Sequence, residues 1–328
     1  MNRRRKLIIA LGAATFAFPL TPHAQAKVWR VGFLSPRNRP ASLDTDNFGA
    51  FMSAMRELGY VEGKNLVMEW RFGDNKAELL PGLAAELVQL KVDVIVTNGV
   101  QTIRAAQKAT ATIPIVMSNA PDPVGNGFVK SLAHPGGNLT GTSNLNVEIS
   151  PKRLEMLLGM VPKLSRVAVL IHPENYSHTT RVKSIEAAAR KIGVTILPVQ
   201  ARNPQEIDNA FARMAKEKAG ALIVEPDSHF NQQVNQIVGL TVKYRLPAIA
   251  GTREFVEAGG LMGYGSNLAE IFRRSAIYVD KILKGANPAN LPVEQPTKFE
   301  LVINGKTAKT LGLKIPNTLL VTADKVID

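Results

Sequence analysis

The chain has 328 residues, 40 Lys and Arg against 27 Asp and Glu, and a formal net charge of +13. That length accommodates two domains of roughly 100–200 residues each. There is no cysteine, which excludes disulfides, thiol catalysis and a lipid-modified cysteine. The basic residues are dispersed, with no stripe and no aromatic interleaving, so the charge reads as a solvated surface and not as a nucleic-acid face.

Residues 1–26 have the pattern of an export signal. Arg3-Arg4-Arg5-Lys6 is a basic start, and Leu7 to Phe18 is an apolar run too short to span a bilayer. Ala24-Gln25-Ala26 is a small-x-small cleavage site. Cleavage after Ala26 predicts a periplasmic protein starting at Lys27. It removes four basic residues and takes the charge from +13 to +9. Arg4-Arg5 also fits a twin-arginine signal, so both that route and the general secretory route stay open. No later stretch is long and apolar enough for a transmembrane helix.

Val28 to Leu34 reads as a first strand, ending in Ser35-Pro36. Phe48, Phe51, Met52 and Met55 recur at helical spacing up to Gly59. Leu66 to Trp70 is a second strand, and Leu80, Leu83, Ala84, Leu87 and Val88 mark a second helix. Val92 to Val96 is nearly continuous in apolar residues, which suits a strand covered on both faces. Thr97-Asn98-Gly99 follows, then an Ala-rich helix from Val100 to Ala109. Ile113 to Met117 starts another strand. Ser118, Asn119 and Asp122 are expected in a Pro- and Gly-punctuated loop. Leu132 to Pro151, rich in Gly, Asn and Ser, reads as a crossover. Strands alternating with helices predict a parallel, doubly wound sheet.

The pattern then restarts. Arg166 to Ile171 is a strand ending at His172-Pro173-Glu174, and Val182 to Lys191 is a helix. Val194 to Val199 is a strand, Ile207 to Ala215 a helix, and Gly220 to Val224 a strand ending in Glu225-Pro226-Asp227-Ser228. Gln233 to Tyr244 is a helix, and Leu246 to Ala250 a strand ending in Gly251-Thr252. Val31 answers to Val167, Ile95 to Ile223, and Ile113-Pro114 to Leu246-Pro247. The chain therefore reads as two similar α/β lobes. Gly263-Tyr264-Gly265 reads as a crossover turn. A helix from Asn267 to Gly285 and a strand from Phe299 to Ile303 suggest that the chain crosses between the lobes again.

Ligands of open α/β sheets sit beyond the carboxyl ends of the strands. The candidates in the first lobe are therefore Ser35, Thr97, Asn98, Gly99, Ser118, Asn119 and Asp122. Those in the second are Asn175, Tyr176, Glu225, Asp227 and Thr252. Thr97-Asn98-Gly99 precedes a helix, where free N–H groups and the helix dipole favour a carboxylate; Asn98 could equally cap that helix. Asp122, Glu225 or Asp227 could meet an amino group, although Asp122 also suits a Pro-flanked turn. Tyr176 could pack on an aromatic ligand.

No catalytic residue and no cofactor is expected. The sequence has no G-x-S-x-G elbow, no phosphate-binding G-x-x-x-x-G-K-[ST] and no zinc-protease motif. His172 and His178, six apart beside Glu174, match no standard metal-ligand spacing.

Three segments point to a family. They are Ile115 to Gly127 (IVMSNAPDPVGNG), His134 to Gly141 (HPGGNLTG), and Asn304 to Pro316 (NGKTAKTLGLKIP) with Ala323-Asp324-Lys325. With the duplicated lobes and the leader, the whole mature chain resembles a type I periplasmic substrate-binding protein of an ABC transporter. It is similar to the subgroup that includes tryptophan- and phenylalanine-binding members. The resemblance implies two Rossmann-like, doubly wound parallel-sheet lobes joined by a multi-strand hinge. The expected division is residues 27–143 with 264–296 in one lobe and 144–263 with 297–328 in the other. It implies closure of the lobes on a small ligand, a membrane permease with its ATPase as partner, and a monomer. An amino acid or small aromatic carboxylate is the expected ligand. A periplasmic sensing module that presents the same ligand to a membrane receptor or kinase would have the same sequence features.

Overall fold

The structure, a computed structural model, describes residues 27–44 and 47–328; the leader read at 1–26 lies outside them. The first lobe begins β1 (Trp29–Ser35), α1 (Asn47–Glu57), β2 (Leu66–Phe72), α2 (Leu80–Gln89), β3 (Val94–Asn98), α3 (Val100–Ala109), β4 (Ile115–Pro121) and β5 (Leu139–Asn144). Its five strands are all parallel, in the order β2-β1-β3-β4-β5. The order reverses at β1 and β3, which opens a crevice at their carboxyl ends.

The second lobe holds α4 (Asn146–Met160), β6 (Arg166–Ile171), α5 (Tyr176–Lys191), β7 (Thr195–Gln200), α6 (Pro204–Lys216), β8 (Ala221–Val224), α7 (Ser228–Gln232), α8 (Val234–Lys243), β9 (Ala248–Ala250), α9 (Arg253–Glu257) and β10 (Met262–Ser266). The chain then crosses through α10 (Leu268–Leu283) and returns as β11 (Phe299–Asn304), α11 (Gly305–Thr310), α12 (Asn317–Thr322) and β12 (Lys325–Ile327). Seven strands form the sheet β12-β11-β10-β9-β8-β6-β7. The segment β7-β6-β8-β9-β10 repeats the order of the first lobe, so the duplication read from the sequence is present as two copies of one topology.

The tail crosses back as expected. Phe272, Ala276, Tyr278 and Val279 of α10 are buried in the first lobe's core with Val31, Phe51 and Met55. Phe33 stacks on Trp70 (ring centroids 5.1 Å apart) and meets Phe48 edge-on at 5.2 Å, and Phe272 closes the group at 5.6 Å from Phe48. Such pairs contribute about 0.5–1.5 kcal/mol each beyond their area. This cluster fixes α1, β1, β2 and α10 as one body.

Several expectations are corrected. Leu132 to Pro151 is more than a crossover. Its Thr140, Thr142 and Ser143 are buried in β5, the fifth strand. Their hydroxyls are absorbed by backbone, as in Thr140 Oγ1 donating to Leu291 O at 2.6 Å. The helix α4 follows at once and runs through Pro151. Ser118 to Pro121 continue β4 instead of looping, with a register shift between Met117 and Ala120. Asn119 takes φ 64° there, a left-handed conformation that Asn tolerates. The helix expected from Val182 begins at Tyr176, because the Asn175 side chain accepts from Ser177 N and caps it.

Gly263-Tyr264-Gly265 is strand, not turn. Tyr264, Gly265 and Ser266 pair antiparallel with Leu301, Glu300 and Phe299. This keeps 264–266 in the seven-stranded sheet and moves the crossing to Asn267. A Cβ on Gly265 would lie 1.9 Å from Gly251 O, so these glycines let β10 press against the turn after β9.

Candidate functional site

A cavity of about 120 Å³ lies between the lobes at the carboxyl ends of the strands. The first lobe lines it with Pro36 and Arg37 after β1, Asn98 to Gln101 at the β3–α3 junction, Asn119 and Pro121 of β4, and Asn144 at the end of β5. Asn146, at the start of α4, lines it where the chain passes to the second lobe. The second lobe adds Glu174 and Asn175 after β6, Arg181 of α5, Pro226 to Ser228 after β8, and Gly251 and Thr252 after β9. Ser266, Leu268 and Phe272 contribute from the crossing segment.

Of the residues expected from the sequence, Asn98, Gly99, Asn119, Asn175, Asp227 and Thr252 line this cavity. Ser35, Thr97, Ser118 and Glu225 are fully buried behind it. Thr97 Oγ1 donates to Val116 O at 3.4 Å, and Ser35 Oγ accepts from Arg37 N at 3.4 Å. Asp122 is exposed, and its Oδ1 accepts from Gly125 N at 2.9 Å, which closes the turn after β4. Tyr176 is the first residue of α5.

The start of α3 is open to the cavity. Gly99 is its N-cap, at φ 91°, and gives no side-chain hydrogen bond. Thr102 Oγ1 lies 2.7 Å from Asn98 O and 2.9 Å from Gly99 O, so it serves carbonyls and not the first-turn amides. Asn98 is therefore not the cap that its position suggested. The N–H groups of Val100, Gln101 and Thr102 have no intrahelical partner, and the dipole makes this end favourable for an anion.

Across the cleft, Asp227 caps the short α7. Its Oδ1 accepts from His229 N at 2.8 Å and its Oδ2 from Asn175 Nδ2 at 2.7 Å. A carboxylate has about four lone-pair sites, so Asp227 retains acceptor capacity toward the cavity.

Behind the second lobe's wall lies a charged cluster that sequence reasoning missed. Arg153 and Glu225 are fully buried, and Arg181 is 2% exposed. Glu225 Oε2 is 3.6 Å from Arg153 Nη1 and 3.4 Å from Arg181 Nη1, and Ser150 Oγ is 3.0 Å from Glu225 Oε1. Arg153 also donates from Nε to Tyr264 O at 2.9 Å, from Nη1 to Ser150 Oγ at 3.1 Å and from Nη2 to Asn146 Oδ1 at 2.9 Å. Burial lowers the pKa of both arginines, with Glu225 opposing, and brings Arg153 down to about 10. His178 packs beside them. Its Nδ1 accepts from His172 N at 2.9 Å, which leaves the proton on Nε2, 3.2 Å from Pro226 O. Burial first, then the charge of Arg181, pushes its pKa down to about 4.

The family model for ABC transporter substrate binding proteins matches residues 39–327. The chain belongs to this family. It is thus a solute-binding component of an ABC transporter, acting outside the cytoplasmic membrane with a membrane permease and ATPase, and it is not an enzyme. This substrate-binding protein is 27% identical over 274 residues to a tyrosine-binding protein of Clostridioides difficile, covering 83% of this chain and 78% of the relative. Among solved structures, a conserved domain protein from Vibrio cholerae aligns at 27% identity and TM-score 0.85, over 92% of this chain and all of that one. A domain from Streptococcus pneumonia in complex with L-Trp aligns at 25% identity and TM-score 0.84, with the same coverage. The ligand-free, open structure of a substrate binding protein from Clostridium difficile shares the fold at 24% identity and TM-score 0.66, over 92% of this chain and 99% of that one.

The lobes of the present substrate-binding protein stand closed. Gln232 Nε2 donates to Asn75 Oδ1 at 2.8 Å, and Asn47 Nδ2 donates to Glu254 Oε1 at 3.4 Å, both across the cleft.

Proposed function

We propose that this substrate-binding protein captures an amino acid or a small aromatic carboxylate in the cleft and delivers it to its permease. The observation that carries the reading is the uncapped start of α3 lining the cavity. It offers first-turn N–H groups to a carboxylate. The capacity left on Asp227, with Glu174 at the rim, suits an ammonium group. A volume of about 120 Å³ is well below the roughly 300–1,000 Å³ of pockets for drug-sized ligands, which favours a molecule of amino-acid size. The relatives named for tyrosine and L-Trp support the same class.

In this reading Asn98, Gly99 and Asn119 hold the ligand from one lobe, and Asn175, Asp227 and Thr252 from the other. Contacts made only when both lobes are in place would favour the closed state. The leader would deliver the protein to the periplasm, where it would act as a monomer. A thermal-shift screen over amino acids, aromatic acids, purines and sugars tests the ligand class. We expect stabilisation by amino acids or aromatic acids; stabilisation by sugars alone overturns the reading.

A further inference from the structure

We propose that Arg181 is the second lobe's anchor for the ligand's carboxylate, opposite the start of α3. The assignment rests on the reading of the cleft as a site for a small carboxylate.

Three observations carry it. Arg181 is 2% exposed and yet forms part of the cavity wall. Its Nη1 is committed, to Glu225 Oε2 at 3.4 Å and to Pro226 O at 3.0 Å. Its Nε is buried with no hydrogen-bond partner among the described residues. A buried guanidinium donor without an acceptor costs free energy until one arrives.

The neighbouring groups do not supply that acceptor. Glu225 is shared between two guanidiniums. Asp227 accepts from Asn175 and His229 and makes no hydrogen bond to Arg181. Arg153, the other cation, donates from all three of its nitrogens. Donor capacity is therefore left on Arg181, the arginine of this cluster that lines the cavity. A guanidinium is a planar fork matched to a carboxylate. Glu225 and Pro226 O fix one arm of it and so act as positioning groups.

The placement also links binding to closure. Arg181 belongs to α5 of the second lobe, and the free amides of α3 to the first. A single carboxylate between them would be bracketed only when the lobes are closed. An amine of the same shape without the carboxylate would gain neither contact and would leave the lobes free to open.

The test is calorimetric titration of the wild type, Arg181→Lys and Arg181→Gln. The probes are L-tyrosine, L-tryptophan, 4-hydroxyphenylacetate and indole-3-acetate, with tyramine and tryptamine as carboxylate-free counterparts. The wild type should bind carboxylates and discriminate against both amines. Arg181→Gln should lose about 10- to 100-fold in affinity for the carboxylates, the range for a hydrogen bond to a charged group. Arg181→Lys should lose less, because it keeps the charge without the fork. Unfolding of each unliganded variant separates lost binding from lost fold. Arg181→Lys remains informative should Arg181→Gln not fold. Carboxylate affinity left intact by the substitutions overturns the assignment alone. Absence of carboxylate binding by the wild type, or equal binding of the amines, overturns the reading of the cleft and the assignment with it.

Discussion

Gln232 Nε2 donates to Asn75 Oδ1 across the cleft, and Asn75 Nδ2 donates back to Gln232 Oε1. The two amides satisfy each other from opposite lobes. Gln232 ends α7, the helix that Asp227 begins. A cavity residue and the closing contact therefore sit at two ends of one short rigid element.

Gln232→Ala should weaken ligand binding about 2- to 10-fold, the size of one net hydrogen bond. The loss should appear as faster release, because the contact exists only with the lobes closed. Unliganded unfolding should not change. In a double-mutant cycle with Asn75→Gly, which accepts the φ of 59° at that position, coupling of about 0.5–1.5 kcal/mol is expected. Strictly additive effects on affinity would show that the pair does not act as a latch.

Glu225→Gln should strongly destabilise the fold. The carboxylate lies between Arg153 and Arg181 with no exposure of its own. Its neutralisation leaves two buried cations facing each other. Removing one partner from a buried ionic group costs about 3–5 kcal/mol. Urea unfolding at neutral pH reads this directly, and a loss below about 1 kcal/mol would contradict the buried arrangement.

Mild acid should destabilise the protein through His178. Its pKa is held at about 4 in the fold, below the ordinary 6.5, first by burial and then by Arg181. The unfolded chain thus takes up a proton that the native state refuses. The stabilisation is present above pH 6.5 and is lost as pH falls from there toward 4. The linkage amounts to something on the order of 3 kcal/mol. Unfolding free energy measured from pH 7 to 5 should fall, and His178→Gln should flatten that slope. His229 is lowered too, with burial as the main cause, so a smaller slope should remain.

Strand and helix were legible in the sequence wherever side chains faced a core. The run from Val92 to Val96 and the repeat of Phe48, Phe51 and Met55 could be read as buried faces. The short polar strand β5 could not, because its burial rests on hydroxyls bonded to distant carbonyls such as Leu291 O. Pro151 likewise hid α4. The cleft was half legible. Asn98, Gly99 and Asp227 could be placed at the cavity wall because it is built at strand ends. Arg181 was missed because it stood just before the expected start of the helix at Val182 and, with no local partner, looked like any solvated arginine. Only its partner Glu225, 44 positions away, reveals that it is buried. Glu225 itself looked like a ligand contact for the same reason, since nothing local says that two arginines hold it behind the wall.

Gly251→Ala should damage both stability and binding. Gly251 follows β9 and lines the cavity. A Cβ there would lie 2.2 Å from Pro226 Cγ and 2.8 Å from Arg153 Nη2. Neither neighbour can yield freely, since the proline ring is rigid and Arg153 is tied to Tyr264, Ser150 and Asn146. Overpacking of this kind costs about 1–3 kcal/mol. Because Pro226 O also accepts from Arg181, a shift of Pro226 should carry to the carboxylate anchor and lower ligand affinity beyond what the lost stability explains. Gly239→Ala is the matched control. It lies inside α8 with nothing within 4 Å of the added Cβ, and the helix should gain up to about 1 kcal/mol. Thermal unfolding and titration of the two variants should therefore move in opposite directions for stability, and only Gly251→Ala should change affinity. Equal affinities would mean that the packing of Pro226 against Gly251 does not shape the cleft.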